Sequence, residues 1–250
     1  FGCNCEIFIH SLVSENRKCE IEKYGASVNR IHGNYDESVK VASKIAEERN
    51  YFIISDTSYP GYTEIPKDVM QGYTVMVNEA LEQMQEKPTH VFLQGGVGGM
   101  SAAVVSFIQE TYGKDSPKFI IVEPKNADCL FQSAKNGKPT IVDGQLDTIM
   151  AGLSCGEVSL IAWEILQNSV LAFMTIVDDC IAPTMQLLAN NSSPIIACES
   201  GVAGLAGFLI TTNNKKIRSQ LKINEKSNLL FFGTEGNTDT EMYKKLIKQA

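Results

Sequence analysis

Short apolar runs alternate along this chain with longer stretches whose apolar residues recur every third and fourth position. The runs at 5–9 (CEIFI), 26–31, 51–55, 91–93, 118–122 (KFIIV), 194–198 (PIIAC) and 226–232 (KSNLLFF) have strand length. The pattern predicts a helix over 14–24, with Ser14 as N-cap and Gly25 just past its end. A second helix spans 36–49, with Val39, Ala42, Ile45 and Ala46 on one face. A third spans 67–87, with Val69, Met70, Tyr73, Val77, Ala80, Leu81 and Met84 at helical spacing. Further helices are expected over 101–112, after the loop at 123–129, around Trp163, from Asp178 with Pro183 in its first turn, over 202–209, and over 241–249. Strands alternating with helices define an α/β protein with open, mostly parallel twisted sheets covered by helices on both faces. Two units are expected: a partial small βα domain over 3–55 and a larger α/β domain over 56–250.

The stretch at 89–112 stands out. A buried strand runs into Gly95, Gly96, Val97, Gly98, Gly99 and Met100, and a helix follows from Ser101. Backbone N–H groups and the positive helix end then meet at a loop that a ligand can approach closely, which suits a phosphate. A plain tight turn between strand and helix would also use glycine, but four glycines in five positions exceed what packing needs. The dinucleotide pattern GxGxxG fails at Ser101, and no GxxxxGK[ST] occurs. In parallel sheets ligands sit beyond the carboxyl ends of strands. The polar turns at Asp56, 95–100, 199–201 and 234–239 are therefore expected to face one cleft.

Composition narrows this picture only a little. The 250 residues are 44% apolar and 20% charged, enough for a full core. A net charge of -7 without a long basic run argues against a nucleic-acid surface. No apolar stretch reaches membrane-span length, and Phe1-Gly2-Cys3 does not read as a signal peptide. Seven cysteines without a CxxC pair suggest reduced, buried thiols in a cytoplasmic protein. Three scattered histidines show no metal-ligand spacing, so no metal is expected.

Together the motifs DTxxxGYxxIPxxxMQGY, LQGGVGGM, IVEPxxADC, DTIMAGLxCGE, ESGxxGL and TEGNTD closely resemble the diaminopropionate ammonia-lyases. These are pyridoxal-phosphate enzymes of fold type II, the tryptophan synthase β type. The resemblance runs from about Cys5 to Tyr243. It implies α,β-elimination of either enantiomer of 2,3-diaminopropionate to pyruvate and ammonia, by a homodimer. It implies that residues 95–100 hold the cofactor phosphate and that the Thr234 hydroxyl meets the pyridine nitrogen. Asp56 matches the base toward the D-substrate, and Tyr35 matches a tyrosine near the site entrance. Cys129 and Cys155 match positions near the site, as a cysteine pair or as two free thiols. The family's Schiff-base lysine and its DGNHG motif lie upstream of the glycine loop, and neither occurs here in that context. The chain is therefore expected to be a truncated lyase, inactive alone. A serine/threonine dehydratase and a non-catalytic phosphate-ligand or dimerisation module are the alternatives.

Overall fold

The computed structural model describes residues 2–248; Gln249, where the sequence pattern ends the last helix, lies outside them. The chain opens with β1 (Glu6–His10), α1 (Glu15–Glu22), β2 (Ser27–Ile31) and α2 (Tyr35–Arg49). It continues through α3 (Glu64–Gln83), β3 (His90–Gln94), α4 (Gly99–Tyr112), β4 (Lys118–Pro124) and α5 (Cys129–Asn136). After a long connection come α6 (Leu160–Ser169), β5 (Ala172–Ile176), α7 (Ile181–Ala189) and α8 (Ala203–Thr212). The chain then forms α9 (Lys215–Gln220), β6 (Leu229–Phe231) and α10 (Thr240–Lys248).

Two sheets form, and every strand pair in them is parallel. One holds β1 and β2; the other has the order β5-β4-β3-β6. Because β3 and β4 are central, both of their faces are buried, which explains their uninterrupted apolar runs. Alternate residues divide the core. Val91, Leu93, Phe119 and Ile121 face a cluster with Trp163 and residues of α3, α4 and α6. Phe92, Ile120 and Val122 face the opposite cluster, with residues of α7, α8 and α10. Helix α8 lies close against that second face. A Cβ on Gly204 would stand 2.8 Å from the Phe92 carbonyl oxygen, and one on Gly207 would stand 2.7 Å from Val122.

Two expectations need correction. Residues 51–55 form no strand: Phe52 and Ile54 are 77% and 70% exposed. Their backbone is held by a side chain instead, with Ser55 N–H donating to Tyr62 Oη and Tyr62 Oη donating to the Ile53 carbonyl. Residues 194–198 likewise form no strand, and Ile195 and Ile196 are exposed. In both places an apolar run has strand propensity but no sheet edge beside it. Conversely, β5 was not anticipated. It is an edge strand, mostly half-buried, reached from α6 through Val170 and Leu171 without a glycine or proline to mark the change.

Candidate active site

The carboxyl ends of β1 and β3 and the turn after β6 open on one cavity of about 580 Å³. The glycine loop forms its floor. Gly98 caps α4 with φ 98°, a conformation costly for residues with a Cβ. A Cβ on Gly96 would lie 3.3 Å from both Cys155 Sγ and the Gly152 carbonyl, and one on Gly99 would lie 3.3 Å from the Asp56 carbonyl. Glycine is therefore required in this loop for space at Gly96 and Gly99 as well as for the backbone torsion at Gly98. Ser101 Oγ donates to the Gln94 carbonyl at 2.7 Å, tying the first turn of α4 back to the strand that precedes it.

Asp56 reaches the cavity on a loop fixed from behind. Ser58 and Ser159, both buried, bond hydroxyl to hydroxyl at 2.8 Å. Ser58 Oγ also accepts from Ile161 N, and the Ser58 carbonyl accepts from Leu160 N. The loop thus supplies the side-chain cap that α6 lacks locally. Ser159 N in turn donates to the Val97 carbonyl, so one junction holds both the acid and the glycine loop. From the other side, Tyr35 Oη donates to Asp56 Oδ1 at 2.9 Å. Burial, and then the Asp56 charge, push the Tyr35 phenol well above its usual range, so it stays a donor.

Of the residues expected at the site, Tyr35, Asp56, 96–100, Cys155 and Thr234 line the cavity. Gly95 lies beneath it, packed so closely that a Cβ would meet Ile121 at 2.8 Å. Cys129 also sits behind the wall, with Sγ donating to the Gly96 carbonyl at 3.6 Å. Cys129 and Cys155 are free thiols whose pKa values burial pushes well above the usual range. The turns at 199–201 and 234–239 contribute Ser200, Thr234 and Glu235, so the expected cleft is formed. No lysine lines it among the described residues.

The sequence pattern did not single out three of the lining residues. Gln94 ends β3 and bonds to Thr234. Arg17, on α1, pairs with the buried Glu199 at 2.7 Å and with Glu235 at 3.5 Å. Its guanidinium also lies 3.9 Å from Asp239, which accepts from Asn16 Nδ2 at 3.0 Å. Helix α1 thereby reaches across the cavity to the turns around Glu199 and Glu235. A second clasp is made by Asp36 on α2, which accepts from Gly156 N at 2.9 Å. His10 ends β1 with its ring buried and Nδ1 without a partner among the described residues. Burial, and then the Arg30 charge, lower its pKa. A base whose folded pKa lies below its unfolded value loses its stabilising contribution as pH falls through the unfolded value. Denaturant midpoints should therefore drop below pH of about 6.5, and His10→Asn should flatten that drop.

A parallel α/β fold with a glycine loop, a hydroxyl and an acid at one cavity defines a class of cofactor-binding proteins. The chain belongs to the pyridoxal-phosphate dependent enzyme family, which matches over residues 1–234. Among individual proteins it is 36% identical over 256 residues to the diaminopropionate ammonia-lyase of Escherichia coli (strain K12). That alignment covers 98% of this chain and 64% of the relative, so the chain spans about two thirds of such relatives. The crystal structure of the Escherichia coli enzyme in complex with an aminoacrylate-PLP azomethine reaction intermediate superposes with a TM-score of 0.93. Its identity is 34%, covering 99% of this chain and 65% of that one. The processed form of threonine deaminase isoform 2 from Solanum lycopersicum shares the fold alone, with a TM-score of 0.74 and 18% identity over 98% of this chain and 67% of that one.

Proposed function

We propose that this chain carries the cofactor and substrate cavity of a diaminopropionate ammonia-lyase, converting 2,3-diaminopropionate and water to pyruvate and two ammonia. One observation carries the reading: the glycine cradle, the Thr234 hydroxyl and the Tyr35–Asp56 pair face the same cavity. Residues 95–100 suit a phosphate monoester, because the loop offers main-chain N–H groups at the start of α4 where a Cβ would intrude. Thr234, open to the cavity, suits a pyridine nitrogen. Pyridoxal phosphate supplies the electron sink that makes a Cα proton removable. Asp56 takes the Cα proton of the D-substrate, and Tyr35 orients its carboxylate. These residues bind and move protons; none of them anchors an aldehyde. A homodimer acting in the cytoplasm on a small amino acid belongs to the same reading.

The test is pyruvate release by the full-length protein from both enantiomers, with serine and threonine as competitors. Diaminopropionate should have the highest kcat/KM. Asp56→Asn should cut kcat for the D-enantiomer on the order of 10²–10⁴-fold, the usual worth of a general base, and spare the L-enantiomer. Preference for serine or threonine would reassign the enzyme to the dehydratases. Absence of turnover by well-folded protein would reject the reading.

A further inference from the structure

Gln94 ends β3 at the base of the cavity, and its amide orientation is set by its neighbours. The Phe232 carbonyl lies 2.8 Å from Nε2 and can only accept, so the NH₂ group must face it. The same nitrogen lies 2.9 Å from Thr234 Oγ1. Both amide protons are then used, one on each partner. The carbonyl half, Oε1, is buried and has no donor among the described residues, so all of the bonding by this side chain goes through Nε2.

The consequence falls on Thr234. An amide nitrogen has no lone pair to offer, so Thr234 Oγ1 must accept from Gln94 and cannot donate back. Its own proton has no other partner among the described residues, and the side chain is exposed toward the cavity. A ligand atom meeting this hydroxyl is offered a donor. We infer that Gln94 is a positioning residue: by holding Thr234 Oγ1 as an acceptor, it turns the hydroxyl proton into the cavity and keeps the ring nitrogen of pyridoxal phosphate unprotonated. This rests on the cofactor reading above and adds the residue that sets the cofactor's protonation state. A buried amide oxygen left without a donor is destabilising. Retaining that arrangement makes sense where the other half of the amide has a task.

The experiment uses the 250-residue chain and pyridoxine 5′-phosphate labelled with ¹⁵N in the ring. This probe lacks the aldehyde, so no lysine can capture it. The bound ring nitrogen should show the neutral pyridine-type resonance at pH 7 in the unsubstituted chain. Gln94→Glu keeps the shape but presents an acceptor to Thr234, reversing its hydroxyl. The ring-nitrogen titration midpoint should then rise by about one to two pH units, the scale of one charge-assisted hydrogen bond. Gln94→Met removes the donor without adding an acceptor and should raise the midpoint less; it also decides the matter if the glutamate variant does not fold. Midpoints unchanged in both variants would overturn the inference, as would a protonated ring nitrogen in the unsubstituted chain.

If the probe does not bind at all, the cofactor reading fails, and the Gln94–Thr234 bond is judged on the free chain. The two Gln94 side-chain amide protons should exchange slowly, and Thr234→Val should shift one of them. Fast exchange of both, with no response to that substitution, would remove the bond on which the role of Gln94 depends.

Discussion

Replacing Gly98 by alanine should leave a folded chain that no longer retains pyridoxal phosphate. Two independent effects act together. The φ of 98° at this position is strained for any residue with a Cβ, at about 1–3 kcal/mol. The new methyl would also lie 3.2 Å from Ala162 Cβ and Leu166 Cδ1 and 3.3 Å from Leu130 Cδ2. All three side chains are fully buried in the cluster on that face of the sheet, so they have little room to withdraw. The loop must move instead, and the N–H groups it presents move with it. Each hydrogen bond to a charged group is worth about 1.5–3 kcal/mol. Loss of one or two weakens phosphate binding by about 10-fold to 10⁴-fold. The measurement is a titration of the chain with pyridoxal phosphate, with inorganic phosphate as competitor. Gly113→Ala is the control: it has φ 55°, and nothing stands within 4 Å of an added Cβ. It should lower stability while preserving binding. Equal binding by Gly98→Ala and the unsubstituted chain would remove the glycine loop from the site.

The second large effect is expected at Arg17. Its partner Glu199 is 1% exposed, so removing the guanidinium leaves a carboxylate buried without a counter-charge. Breaking such a pair from one side costs about 3–5 kcal/mol. Arg17→Met keeps the aliphatic stem and isolates the charge. Helix α1 has no fully buried residues of its own, so this ion pair is a main attachment across the cavity. Hydrogen exchange should show residues 6–31 losing protection while β3 and β4 keep theirs. Adding Glu199→Gln should restore part of the loss, because the stranded charge is then gone. Unaltered protection of α1 in the single variant would show that packing alone holds the helix there.

The glycine loop and the central strands were legible in the sequence because their signals are local. Val91, Phe92 and Leu93 form an apolar run, and the glycines that follow report a backbone constraint within five positions. The turns of Asp56 and Thr234 were legible as strand-end loops facing one cleft, but their particular roles, and Tyr35 altogether, came only from a resemblance spread over six motifs, since an isolated acid or hydroxyl in a turn has many ordinary uses. Residues 51–55 and 194–198 were misread because propensity cannot show whether a sheet edge is present. Gln94 and Arg17 were missed for another reason. Gln94 acts on a residue 140 positions away, and Arg17 pairs across 182 positions. Arg17 also sits in a polar, well-capped helix, where a basic residue reads as an ordinary solvated one.

The register of β3 has a consequence for how the molecule is assembled. Its partner on one side, β4, follows shortly after it; on the other side His90 pairs with Leu229. Closing so long a loop is entropically costly and slow, because most of the intervening chain must be ordered or excluded first. The wall that carries Thr234 is therefore set opposite the glycine loop only once the distant β3–β6 pair has closed. Until that pair forms, residues 95–100 face a half-built cavity, so β6 docking and completion of the cavity are one event.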